Sequence, residues 1–257
     1  MKIVPVDAAA FSDLCRSVLA DPHLRDGIGT YKEKKLHLIL KEYFVRSAAD
    51  REVPFRGFVC DGKEGNVITE IMTGSLAGMG DKLRAFLPDH KVNIIFPLIV
   101  EKTLVWIEPD TGATSRGRIS PRRDGLPRLL SETVYILDHL SSSNLTLTAV
   151  FLKVDEFRLR NGRGKEKKIG AEKIDRIPTE LVSVAEYRPC EDMALFLPDG
   201  LPDRFTRYDV SKATGFSGRR LSGTVKALER TGVIVDAGLG KKPRYFERAQ
   251  DPKTQKL

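Results

Sequence analysis

Three carboxylates stand in contexts that suit hard-cation chemistry. Glu33 falls in the first turn of a predicted helix, Asp61 ends a short β-prone run at residues 55–60, and Glu70 lies in the next such run, residues 66–72. A turn at residues 62–65 predicts a hairpin that sets Asp61 beside Glu70 on neighbouring strands. Carboxylates so placed could share Mg2+ or Mn2+, ions that take oxygen ligands. A bound ion of this kind activates water and offsets charge building on a phosphodiester. Each residue also has a plainer reading. Glu33, three residues after Thr30, fits a capping box. Asp61 precedes Gly62 and fits a turn. Glu70 is hardest to reduce to a local role: Ile68, Ile71 and Met72 flank it as in a covered strand, where a charge is costly unless paired or metal-bound.

A second chemistry is written in the charge distribution. Of the 257 residues, the stretch from Arg204 to Leu257 holds 13 Lys/Arg against 5 Asp/Glu, an excess equal to the +8 of the whole chain. A small segment with that imbalance suits a polyanion, because each phosphate it neutralises releases condensed counterions. DNA is the favoured partner, and RNA carries the same backbone charge. The plainer reading is a solvated basic tail. A further basic cluster, Arg116, Arg118, Arg122, Arg123 and Arg128, reads as a solvated loop or as a second phosphate contact.

The elements that position these groups follow from hydrophobic period. Phe11, Leu14, Val18 and Leu19 recur at helical spacing, as do Leu36, Leu40, Tyr43 and Phe44, and then Leu76, Met79, Leu83 and Phe86. Residues 92–100 are nearly all apolar, as in a strand covered on both faces. Residues 103–108 predict a further strand, 126–140 a helix and 144–160 a long strand. The order helix, strand, strand, helix, strand, strand, helix, strand predicts an α/β domain with a mixed sheet flanked by helices, over residues 1–173. Residues 174–190, with Pro178 and Pro189, read as a connector, and 249–257 as a disordered tail. Between them, residues 191–248 predict a short helix, a second capped by Thr206, a turn at Gly215, a third from Gly218 to Arg230, and a hairpin.

That C-terminal order resembles the winged helix-turn-helix superfamily. The resemblance implies a recognition helix bearing Arg219, Arg220, Lys226 and Arg230, and a wing bearing Lys241, Lys242 and Arg244. Glu33, Asp61 and Glu70, in their helix–strand–strand order, resemble the restriction-endonuclease-like superfamily of PD-(D/E)xK nucleases. That resemblance implies a metal-dependent DNA endonuclease whose Asp61 and Glu70 hold the ion. The superfamily's lysine position is Met72 here, which cannot orient or deprotonate water. Two outcomes follow: Lys82, on the next helix, reaches back as a displaced lysine, or the site is degenerate and the domain only binds DNA or another partner. The runs from Glu70 to Gly74, Lys82-Leu83 and Ser120 to Arg123 look like an uncharacterised microbial family joining both domain types. A homodimer is compatible with either part.

Other classes find little support. No apolar run approaches bilayer length, and the N-terminal residues lack a secretion pattern. Cys15, Cys60 and Cys190 share no metal-ligand spacing and read as reduced thiols of a cytoplasmic protein. Gly74, Gly78 and Gly80 fit no phosphate-cradling spacing, and hydrolase triad signatures are absent.

Overall fold

A computed structural model describes residues 1–20, 34–121, 123–162, 170–238, 240 and 242–249. A mixed eight-stranded sheet forms its centre. Its strands are β1 (Lys2–Val4), β2 (Arg51–Phe55), β3 (Phe58–Glu64), β4 (Val67–Ile71), β5 (Lys91–Ile107), β6 (Thr114–Ile119), β7 (Leu145–Leu159) and β8 (Glu172–Tyr187). They lie in the order β1-β8-β7-β5-β4-β3-β2, with β6 on β5. Parallel pairing joins β4 to β5 and β5 to β7; the other pairs are antiparallel.

Helices cover both faces. On one lie α1 (Ala8–Ala20) and α2 (Lys35–Phe44); on the other lie α3 (Met79–Phe86) and α4 (Leu126–Glu132), the latter continued by a 3-10 stretch, Thr133–His139. The period-2 geometry of β5 feeds both cores. Val92, Ile94, Phe96 and Leu98 join the α3 side, while Ile95 and Ile99 join the α1–α2 side. The doubly covered strand expected from residues 92–100 is therefore present.

Several boundaries differ from the sequence expectation. The hairpin turns at Gly65 and Asn66 rather than across 62–65, because Gly65 adopts φ +57° there. A second tight turn, Arg56-Gly57, has positive φ at both positions (49° and 80°), as a two-residue hairpin requires, and it adds β2 to the sheet. The strands expected at 92–100 and 103–108 are one strand, β5, because a bulge between Ile99 and Glu101 absorbs the irregularity. Most of residues 174–190, read as a connector, belong to β8. Pro178 sits where the pairing with β7 shifts register, a position that tolerates a missing N–H.

After β8 come a four-residue helix, α5 (Pro189–Asp192), a 3-10 turn (Met193–Phe196), β9 (Arg204–Thr206), α6 (Arg207–Thr214), α7 (Gly218–Arg230), β10 (Ile234–Asp236) and β11 (Tyr245–Arg248). β11 lies between β10 and β9 in a separate three-stranded sheet. Thr206 caps α6 through a full capping box with Asp209, and Gly215 ends it at φ +70°. This part is not a free appendage. Phe205, Val210, Leu221, Val225, Leu228 and Phe246 belong to the same apolar cluster as α3 and α4. A Cβ on Gly223 would stand 2.5 Å from Cβ and Cγ2 of Val134, so only glycine permits α7 to approach the 3-10 stretch this closely.

Candidate functional site

The β3–β4 ladder, which pairs Gly62 with Thr69, brings Asp61 next to Glu70 at the carboxyl end of β4. Asp61 Oδ2 accepts the Ile71 backbone N–H at 2.7 Å, and His37 Nε2 of α2 stands 3.4 Å from the same oxygen. Burial works against ionisation of Asp61, but the bonds from His37 and Ile71 outweigh it and hold the carboxyl below its usual range.

Glu70 is 2% exposed. Its Oε2 accepts from Lys82 Nζ at 2.7 Å, and the same ammonium donates to the Val59 carbonyl at 2.8 Å. The other oxygen, Oε1, is buried and has no hydrogen-bond partner among the described residues. Burial pushes the Glu70 carboxyl up to about 7; Lys82 opposes the rise, and the Asp61 charge adds to it. Lys82 is therefore the amine at this carboxylate. Met72, in the superfamily's lysine position, is partly buried against the α3-side core. Its backbone N–H bonds the Ile95 carbonyl at 2.9 Å.

The two carboxylates take their side-chain partners from opposite layers, Asp61 from α2 and Glu70 from α3. Glu33 lies outside the described residues. No three His, Cys, Asp or Glu side chains among the described residues gather as a metal-holding group.

Of the arginine cluster, Arg128 has a structural task. It bonds the buried Glu132 and donates to the Gly74 carbonyl at 2.6 Å, while Glu132 accepts from Ser75 Oγ at 2.6 Å. The pair pins the loop leaving β4. Arg116 approaches Asp155 at 3.6 Å, Arg118 and Arg123 are exposed, and Arg122 lies outside the described residues.

The C-terminal cations separate into two groups. Arg219, Arg220, Lys226 and Lys242 are exposed and have no carboxylate partner among the described residues. Arg230 approaches Asp138 at 3.6 Å, and Arg244 bonds Asp236 at 2.6 Å and Glu229 at 2.7 Å. Lys241 lies outside the described residues. The turns of α7 that carry Leu221, Thr224, Val225, Ala227 and Leu228 are buried, which leaves one outward stripe through Arg219, Ser222, Lys226 and Arg230.

Sequence reading missed Glu156. It is fully buried on β7 and bonds Arg158 at 2.7 Å, Arg176 at 2.8 Å and Lys102 at 3.2 Å. Although burial raises its carboxyl, those cations win and hold it down at about 2.

Residues 34–188 match the family model described as a domain of unknown function (DUF8091). That is more than half of the chain. The chain belongs to this family. The DUF8091 match begins just before α2 and ends just after β8, so it takes in Asp61, Glu70, Lys82 and Glu156. An uncharacterized protein of Treponema pallidum (strain Nichols) is 26% identical over 210 residues, which cover 81% of this chain and 82% of that protein. No solved structure matches. No described helix is long and apolar enough to cross a membrane.

Proposed function

We propose that this chain is a DNA-processing protein, with a nuclease-like site in its α/β body and a winged-helix-like C-terminal part that contacts the duplex. The observation that carries the reading is the 2.7 Å contact between Lys82 Nζ and Glu70 Oε2. It supplies, from α3, the amine that Met72 cannot offer. Asp61 and Glu70 are the residues to hold Mg2+ or Mn2+. Two features favour that fit: Asp61 is kept ionised, and Glu70 Oε1 is a buried carboxylate oxygen with no partner. A divalent ion bound there would lower the pKa of its water and offset the charge of a phosphodiester. Lys82 offsets part of the burial that disfavours the Glu70 anion, and it places an ammonium where an attacking water can be oriented. His37 and the Ile71 N–H fix the direction of the Asp61 carboxylate.

The C-terminal reading rests on the helix–turn–helix–hairpin order with β9 completing a three-stranded sheet, and on the exposed cations Arg219, Lys226 and Lys242, which have no carboxylate partner among the described residues. Phosphate contacts of this kind position a protein on DNA without specifying sequence.

Plasmid cleavage in Mn2+ tests the whole. Cleavage is expected, with loss in Glu70→Gln, Asp61→Asn and Lys82→Met. Cleavage that persists in all three removes this site. The Lys82–Glu70 pair also favours a second reading, DNA binding without hydrolysis, because an ammonium already neutralises the carboxylate. On that reading the wild type shifts DNA in gels, with or without metal, and never cuts it.

A further inference from the structure

Away from Asp61, Glu70 and Lys82, a cavity of about 670 Å³ opens into the described chain. It opens beside Thr73 and Gly74, just beyond the carboxyl end of β4, where parallel α/β sheets commonly bind ligands. Five cations line it: Lys102 of β5, Arg128 of α4, Lys173 and Arg176 of β8, and Arg220 of α7. Asp124 is the one carboxylate among its lining residues, and it is engaged, accepting from the Ile99 N–H at 3.2 Å. A smaller cavity of about 200 Å³ shares Thr73, Gly74, Lys173 and Arg176 and adds Lys34, Leu36 and one carboxylate, Asp175.

The arrangement is built rather than incidental. Glu156, fully buried, gathers Arg158, Arg176 and Lys102 on three adjacent strands. One carboxylate serves three cations there, so positive charge is left over. Arg128 is held by Glu132 and lies over the Phe96 ring at 5.7 Å. Lys173 and Arg220 have no carboxylate within salt-bridge distance among the described residues. Desolvation, then the charges of Arg176 and Lys34, lower the Lys173 ammonium to about 8. Arg176, Lys34 and Lys102 crowd this ammonium, and the Glu156 charge offsets them only in part. A bound anion would relieve that crowding.

We propose that this cleft is a binding site for a nucleotide-sized polyphosphate, in which Lys173 and Arg220 are the unpaired cations that engage the phosphates. Charge and shape both argue for that class. The surplus of cations calls for more than one negative charge. The volume lies in the range of small-ligand pockets and is far too small for a duplex. Phe96, Pro97 and Ile99 add apolar atoms to the lining, which a base and ribose can contact and inorganic phosphate cannot. Arg220 comes from α7 and the other four cations from the body, so the ligand bridges the two parts. The site shares no residue with the proposed nuclease centre and goes beyond that reading.

Calorimetric titration of the full chain with ATP, with EDTA present and no cleavage measured, tests this separately from any nuclease activity. ATP is expected to bind the wild type. Lys173→Ala and Arg220→Ala, both at exposed positions, should each weaken it by about tenfold or more while thermal midpoints hold. Lys173→Arg, which keeps the charge, should retain most of the affinity. Absence of ATP binding, or unchanged affinity in both alanine variants, overturns the proposal. A 5′-phosphorylated single-stranded oligonucleotide is run in parallel. If it binds through Lys173 and Arg220 and ATP does not, the cleft holds a strand end and the free-nucleotide assignment is wrong.

Discussion

Lys82 Nζ meets Glu70 Oε2 at 2.7 Å across the junction of α3 and β4, and the contact leaves Glu70 Oε1 buried without a partner. A carboxylate only half served by its ion pair is an uneasy element of a core. Its neighbours explain the unease: burial and the Asp61 charge disfavour the anion, and Lys82, with a smaller contribution from His37, favours it.

This imbalance has a direct consequence for stability. The folded chain holds the Glu70 proton more tightly than the unfolded chain, whose carboxyl titrates near 4.5. Stability should therefore fall as pH rises from about 4.5 to about 7. Glu70→Gln removes that ionisation, and the loss across the window should shrink by on the order of 2 kcal/mol. Urea midpoints of both proteins at several pH values measure it. Parallel curves would show that Glu70 does not titrate in this range.

Glu156 should behave in the opposite sense. Its carboxyl is held at about 2, below the ordinary 4.5, so its contribution is fully present above 4.5 and disappears as pH falls through 2. Glu156→Gln leaves Lys102, Arg158 and Arg176 facing one another without an anion. A loss of roughly 3–5 kcal/mol at pH 7 is expected, as for removal of one partner from a buried ion cluster. Added phosphate should restore more stability to this variant than to the wild type. A denaturant midpoint within experimental error of wild type would mean that solvent already screens the cluster.

The fate of these two glutamates shows what the sequence made legible. Glu70 stood out because apolar residues surround it on a strand too short to hide the pattern. Glu156 occupies the same kind of position, following the buried Leu152 and Val154 in strict alternation. The β propensity of residues 144–160 is legible, but it does not say which face each charge occupies. Its partners were harder to find. Arg176 lies in β8, where the polar character and Pro178 of residues 174–190 suggest a connector; only the bulged pairing with β7 makes it a core strand. The C-terminal cations could be read from the sequence, but their division into paired and unpaired depends on Asp138, Glu229 and Asp236, which a linear reading does not place.

That division gives a graded test of nucleic-acid contact. Arg219 and Lys226 are exposed and unpaired, whereas Arg244 is already committed to Asp236 and Glu229. If α7 and the hairpin lie on DNA, Arg219→Ala and Lys226→Ala should each weaken binding and lower the salt slope by about one. Arg244→Ala should have the smaller effect. Fluorescence anisotropy across a salt series reads both quantities. The reverse ranking would place the contact on the hairpin instead.

The fit of α7 against the body can be tested without any ligand. Gly223 lacks the atom that would collide with Val134, and the nearest approach, 2.5 Å to Val134 Cβ, cannot be relieved by a rotamer change. Gly223→Ala must push α7 away from the 3-10 stretch, against the ordinary gain in helix propensity from removing a glycine. Overpacking should win, with a loss of about 1–3 kcal/mol. Val134→Ala in the same chain removes only the Cγ contacts, so the rescue should be partial. Calorimetry should show a lower thermal midpoint for the single variant and an intermediate one for the double. Because α7 also carries Arg220 into the 670 Å³ cleft, ATP affinity should fall with Gly223→Ala, although Gly223 does not line the cleft. A variant that loses stability but binds ATP like the wild type would show that α7 can shift without displacing Arg220.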